Sequence, residues 1–99
     1  MRIVRRPKFV DDLEETYAWL AERSPVAADR LLDEIDAVAQ LLAAFPDIGR
    51  PREELGFGLR SFRPQGFQTI IFYRRNDDAV VLLRLLHGAR SVETETMES

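Results

Sequence analysis

The stretch VVLLRLLH, residues 80–87, is an almost unbroken apolar run interrupted by one arginine. It has strand length, and near-continuous apolarity marks a central strand covered on both faces. Alternation puts Val81, Leu83, Leu85 and His87 on one face and Val80, Leu82, Arg84 and Leu86 on the other. Upstream, FQTIIFYRR (67–75) is β-branched and aromatic, as strands are. There Phe67, Thr69, Ile71 and Tyr73 oppose Gln68, Ile70, Phe72 and Arg74. RNDDA between the two runs is a turn, with Asp77 and Asp78 in it. LRSFR (59–63) also alternates. Three strands with short links form an antiparallel meander.

The first half of the chain has a different period. Pro7 suits a first helical turn, and Phe9, Leu13, Thr16, Tyr17 and Leu20 recur at helical spacing, which predicts a helix over 7–22. Ser24 and Pro25 read as N-cap and first turn of a second helix. Its stripe is Ala28, Leu31, Ile35, Val38, Leu42 and Phe45, and Pro46 ends it. So short a link makes an antiparallel helical hairpin. RIVRR (2–6) is a first strand of the same sheet, and residues 45–58 read as loop. The expected fold is α+β: an N-terminal strand, the helical hairpin, then the meander, with the helices on one face of a four-stranded sheet. One domain spans 1–91, and 92–99 is a polar tail.

The 99 residues carry a net charge of −3, no cysteine and a single histidine. Disulfides and thiolate metal sites are excluded. No run approaches membrane-span length, and the basic N-terminus lacks the apolar stretch of a signal peptide, so a cytoplasmic location is expected and no membrane partner. No metal-ligand cluster, phosphate loop or nucleophile elbow is present, so no cofactor or metal is expected. The charge is segregated: residues 9–49 are acidic, while 1–8 and 50–90 are basic, and only Lys8 among the 14 cations is not arginine. The net charge speaks against direct, specific DNA binding by the chain alone.

The hairpin covers one sheet face only. It should take the face with Val81, Leu83 and Leu85, leaving Ile70, Phe72, Val80, Leu82 and Leu86 exposed among arginines. Such a patch implies a partner, unless the tail or a loop folds over it. Arg60 and Arg84 are expected to point to the partner side, the alternative being pairs with Glu53 or Glu54. His87 is the one candidate acid–base catalyst, weighed against a structural place at the edge of the core face, which the alternation favours. Tyr17, Tyr73 and Trp19 read as packing residues.

LLRLLHGAR (82–90) resembles the closing strand of the ParE toxins of the RelE/ParE superfamily. The resemblance runs through FVDDLEETYAWLAERSPVAADRLLDEI, LLAAFPDIGRPREELGFGLRSF and IIFYRR, and covers 2–91. It implies the toxin of a type II toxin–antitoxin module, acting on DNA gyrase and neutralised by a co-encoded antitoxin, usually of ribbon-helix-helix type with a flexible tail. The antitoxin-binding residues would be Arg60, Ile70, Phe72, Arg74, Leu82, Arg84 and Leu86, and the target contacts Arg63, His87 and Arg90. The alternatives are a ribosome-dependent mRNA endonuclease, as in the RelE branch, or a non-toxic antitoxin-binding module. The late tyrosine or histidine of the RelE branch is absent after Arg90. Ser91 stands where the ParE pattern usually has Asp, and the acidic C-terminal end departs from the family's often apolar one.

Overall fold

The computed structural model describes residues 1–87 and Met97. Strand β1 (Arg2–Arg5) leads into helix α1 (Pro7–Arg23), helix α2 (Pro25–Ala44) and strands β2 (Arg50–Pro51), β3 (Leu59–Phe62), β4 (Thr69–Arg75) and β5 (Ala79–His87). The hairpin turn is a single residue. The Ser24 N–H donates to Leu20 O at 2.7 Å and closes α1, while its Oγ accepts from Ala27 N at 3.2 Å and caps α2. Pro25 follows at the first helical position, where a missing N–H costs nothing. At the other end Phe45 N bonds Leu41 O, and Pro46 stops the helix.

The sheet order is β1-β5-β4-β3-β2. β1 runs parallel to β5, and the other neighbours are antiparallel. Among the described residues there are five strands where four were expected. Arg50 and Pro51, in the segment read as loop, pair with Ser61 and Arg60 at the sheet edge, where a proline is tolerated.

Two apolar layers sandwich the sheet. The helix-side layer joins Phe9, Leu31, Ile35, Val38 and Leu42 to Ile71, Tyr73, Val80, Leu82 and Leu85. The second holds Leu59, Ile70, Phe72, Leu83, Leu86 and Met97, with Leu55 and Val81 packed against it. β4 follows its alternation, with Ile71 and Tyr73 under the helices and Ile70 and Phe72 opposite.

β5 departs from the expected faces. Val80 and Leu82 lie under the helices, and Val81 and Leu83 belong to the opposite layer. The cause is a bulge: Tyr73 pairs with Leu82 and Phe72 with Arg84, so Leu83 has no partner in the ladder. One extra residue reverses every side chain before it relative to those after it. Leu85 and Leu86, beyond the bulge, lie where alternation puts them.

The second face is not bare. Ile70, Phe72 and Leu86 are buried, and Met97 of the tail is buried among them. The expected exposed patch is therefore corrected: the chain covers that face itself. Phe45 and Trp19, read as packing residues, are more than half exposed. The remaining tail residues, and the domain boundary at 91, lie outside the described residues.

Candidate functional site

The arginine inside the apolar run decides how the far end of β5 is held. Arg84 Nε donates to Asp12 Oδ2 at 2.7 Å and Nη2 to Oδ1 at 3.0 Å, a two-pronged pair between β5 and α1. Asp12 Oδ2 also accepts from Leu85 N at 3.0 Å. Both side chains are about nine-tenths buried. One carboxylate thus neutralises a buried guanidinium and satisfies the strand N–H beside the bulge. The expectation that Arg84 faces a partner is corrected: its guanidinium is bound inside the chain, to Asp12 and to neither Glu53 nor Glu54.

Arg60 is likewise engaged internally. Its Nη1 donates to Gly49 O at 2.7 Å and Asp47 O at 3.0 Å, and Arg75 pairs with the Asp47 carboxylate at 3.3 Å. Tyr73 holds the same segment from below. Its hydroxyl donates to Pro46 O and accepts from Gly49 N, both at 2.8 Å. Burial pushes the Tyr73 phenol up from its ordinary value, against the Gly49 N–H and the Arg60 charge, which act downward. The folded state therefore keeps the proton longer than the unfolded chain, so its stabilisation is lost as pH rises above about 10. Urea midpoints should fall more steeply between pH 10 and 11 in wild type than in Tyr73→Phe. Equal slopes would show that Tyr73 is not the group.

On the second face the nearby cation is Arg52, which the sequence reading passed over. Its guanidinium lies 5.6 Å from the Phe72 ring centroid, and its Nε donates to Glu54 at 2.8 Å. That bond holds the Glu54 carboxyl below the usual carboxylate range.

The residues expected to form one binding surface are thus distributed. Ile70, Phe72 and Leu86 share the second face, and Leu82 sits under the helices. Arg84 is locked to Asp12, Arg60 to the 47–49 segment, and Arg74 is half-buried. Arg63 is exposed just beyond β3. His87 is exposed at the end of β5, opposite Thr69, and not enclosed at the core edge as alternation suggested. Arg90 lies outside the described residues. Asp12 was the principal omission. Read as one of several acids favoured by the helix dipole, it lies on the Phe9–Leu13–Thr16 stripe that turns inward, and an arginine amid strand leucines calls for such a carboxylate. Among the described residues no three His, Cys, Asp or Glu side chains converge on a metal site, and no helix is long and apolar enough to cross a membrane.

The fold is shared with a solved structure, the chromosomal ParDE toxin–antitoxin system of P. aeruginosa, at a TM-score of 0.75 and 18% identity over 88% of this chain and 95% of that one. Toxin ParE3 of Caulobacter vibrioides is 34% identical over 95 residues, covering 95% of this chain and 93% of the relative. Toxin RelE3 of the same organism is 38% identical over 83 residues, covering 83% of this chain and 88% of the relative. The family described as the ParE toxin of the type II toxin–antitoxin system parDE matches residues 3–92, nearly the whole described fold. The chain belongs to the ParE family of type II toxins.

Proposed function

We propose that this toxin acts by binding DNA gyrase in the cytoplasm, without cleaving RNA, and is neutralised by a co-encoded antitoxin of ribbon-helix-helix type with a flexible tail. The observation that carries the non-enzymatic part is the engagement of Arg84 and Arg60. A nuclease needs cations free to face a phosphate and a group that shuttles protons. Both of these guanidinium groups already hold the chain's own carboxylate and carbonyl oxygens. Arginine itself stays protonated and moves no proton. His87 is the one imidazole in the chain. ParE-type resemblance along 2–91 and the family match support the gyrase reading over the ribosomal one.

Expression without the antitoxin should arrest growth with an SOS response, and purified protein should inhibit supercoiling by gyrase while leaving ribosome-bound mRNA intact. Cleavage of ribosome-bound mRNA by wild type, lost in folded His87→Ala, would replace this reading with the nuclease one.

A further inference from the structure

We propose that Met97 is an oxidation-sensitive plug: transfer of one oxygen atom from a peroxide to its thioether drives the side chain out of the second apolar layer and uncovers that sheet face. The proposal concerns the toxin by itself and does not depend on its target. Met97 is 6% exposed and completes the layer formed by Leu59, Ile70, Phe72, Leu83 and Leu86. Those five residues belong to β3, β4 and β5 and are fixed by strand pairing. Met97 belongs to no strand or helix, so that pairing does not fix it.

The chain has no spare plug. After His87 its apolar side chains are Ala89, Val92 and Met97, and Glu93, Glu95 and Glu98 stand close to Met97 in the sequence. Carboxylates favour water over an apolar layer. For one methionine, the apolar gain on burial and the entropy lost in ordering a long side chain are of similar size. The closed arrangement is therefore shallow, and the sulfur meets solvent each time it opens.

The step is a two-electron oxidation. The sulfur attacks one oxygen of hydrogen peroxide. An S–O bond forms and the O–O bond breaks. The departing hydroxide takes the proton of the transferred OH and leaves as water. Sulfur is oxidised and the peroxide is reduced. The product is a sulfoxide, polar where the thioether was apolar. Returned to the layer, its oxygen would need a hydrogen-bond donor. The side chains of Leu59, Ile70, Phe72, Leu83 and Leu86 offer none. Arg52, the cation near the Phe72 ring, already donates to Glu54 and Ser61. The sulfoxide therefore stays outside and the face stays bare. The helix-side layer, across the sheet, keeps its packing. A methionine sulfoxide reductase reverses the step, which makes it a switch.

Met1, the other methionine, is 42% exposed and serves as the internal reference. The test treats the full chain with hydrogen peroxide and follows oxygen uptake at each methionine by mass spectrometry. Met97→Leu is the variant that keeps an apolar plug without sulfur. Wild type should be oxidised at Met1 first and at Met97 afterwards. Binding of a dye for exposed apolar surface should rise at least about threefold as Met97 reacts, with far-UV circular dichroism unchanged. Treated Met97→Leu should stay at its untreated level although its Met1 is oxidised, and reductase should return wild type to its starting signal. A Met97 that resists peroxide while Met1 is fully oxidised overturns the proposal. So does a Met97 sulfoxide without a gain in dye binding, or an equal gain in Met97→Leu. Loss of the far-UV signal together with the gain overturns it too, since the whole fold would then have opened and not one face.

Discussion

Asp12→Ala is expected to destabilise the fold by about 3–5 kcal/mol, because it strands a buried guanidinium. A domain of this size is held by roughly 5–15 kcal/mol, so the variant sits at the margin of folding. Its melting temperature should fall by roughly 15–30 °C. The buried geometry explains the size: two guanidinium nitrogens and the Leu85 N–H converge on one carboxylate. Asp12→Asn should be intermediate, since the amide oxygen can still accept from Leu85 N but no longer neutralises the charge. The double variant Asp12→Leu with Arg84→Met separates charge from packing. Removing both charges together should restore most of the loss, as apolar replacements of buried pairs often do. The Leu85 N–H then lacks its acceptor, which leaves a deficit of about 1–3 kcal/mol. A melting temperature for Asp12→Ala within a few degrees of wild type would show that the pair contributes nothing.

Gly49→Ala is the second large effect. An added Cβ would overlap the Tyr73 hydroxyl and lie 2.6 and 2.8 Å from Cε1 and Cζ of that ring. The ring cannot yield, being fully buried and pinned at its hydroxyl by Pro46 O and Gly49 N. Overpacking costs about 1–3 kcal/mol, and each hydrogen bond lost adds about 0.5–1.5 kcal/mol. Urea unfolding should therefore place Gly49→Ala about 2–5 kcal/mol below wild type. Adding Tyr73→Phe should recover only part of this, since the ring carbons still obstruct the methyl group. Full recovery would mean that the hydroxyl alone was the obstacle.

Much of the fold was legible because local signals agreed with one another. Ser24, Pro25 and Pro46 delimit α2 by backbone chemistry that no tertiary contact overrides, and the stripe from Ala28 to Leu42 has no second interpretation. β4 was legible by simple alternation. β5 was not, because a bulge depends on how two strands pair and leaves no mark on either alone. That single residue, Leu83, moved Leu82 beneath the helices and out of the expected binding surface. The site was harder for the same reason. Arg84 signalled a partner, but its partner lies 72 residues away in α1, and only assembly of the fold makes Asp12 the answer. The short β2 escaped because Pro51 masks it.

The parallel pairing of β1 with β5 has a consequence for synthesis. Arg2 lies beside Ala79 and Arg5 beside Leu82, so β1 leaves the ribosome well before β5 is made and waits for it. At about 5–20 residues per second that interval is several seconds. Until β5 arrives, α1 and α2 can meet each other but not Val80, Leu82 or Leu85, and Asp12 has no arginine to hold. Any product that stops short of Ala79 therefore lacks the neighbour of β1, the floor beneath the helices and the buried ion pair at once. The toxin's shape comes with β5, and a message broken before it yields fragments that have no way to assume that shape.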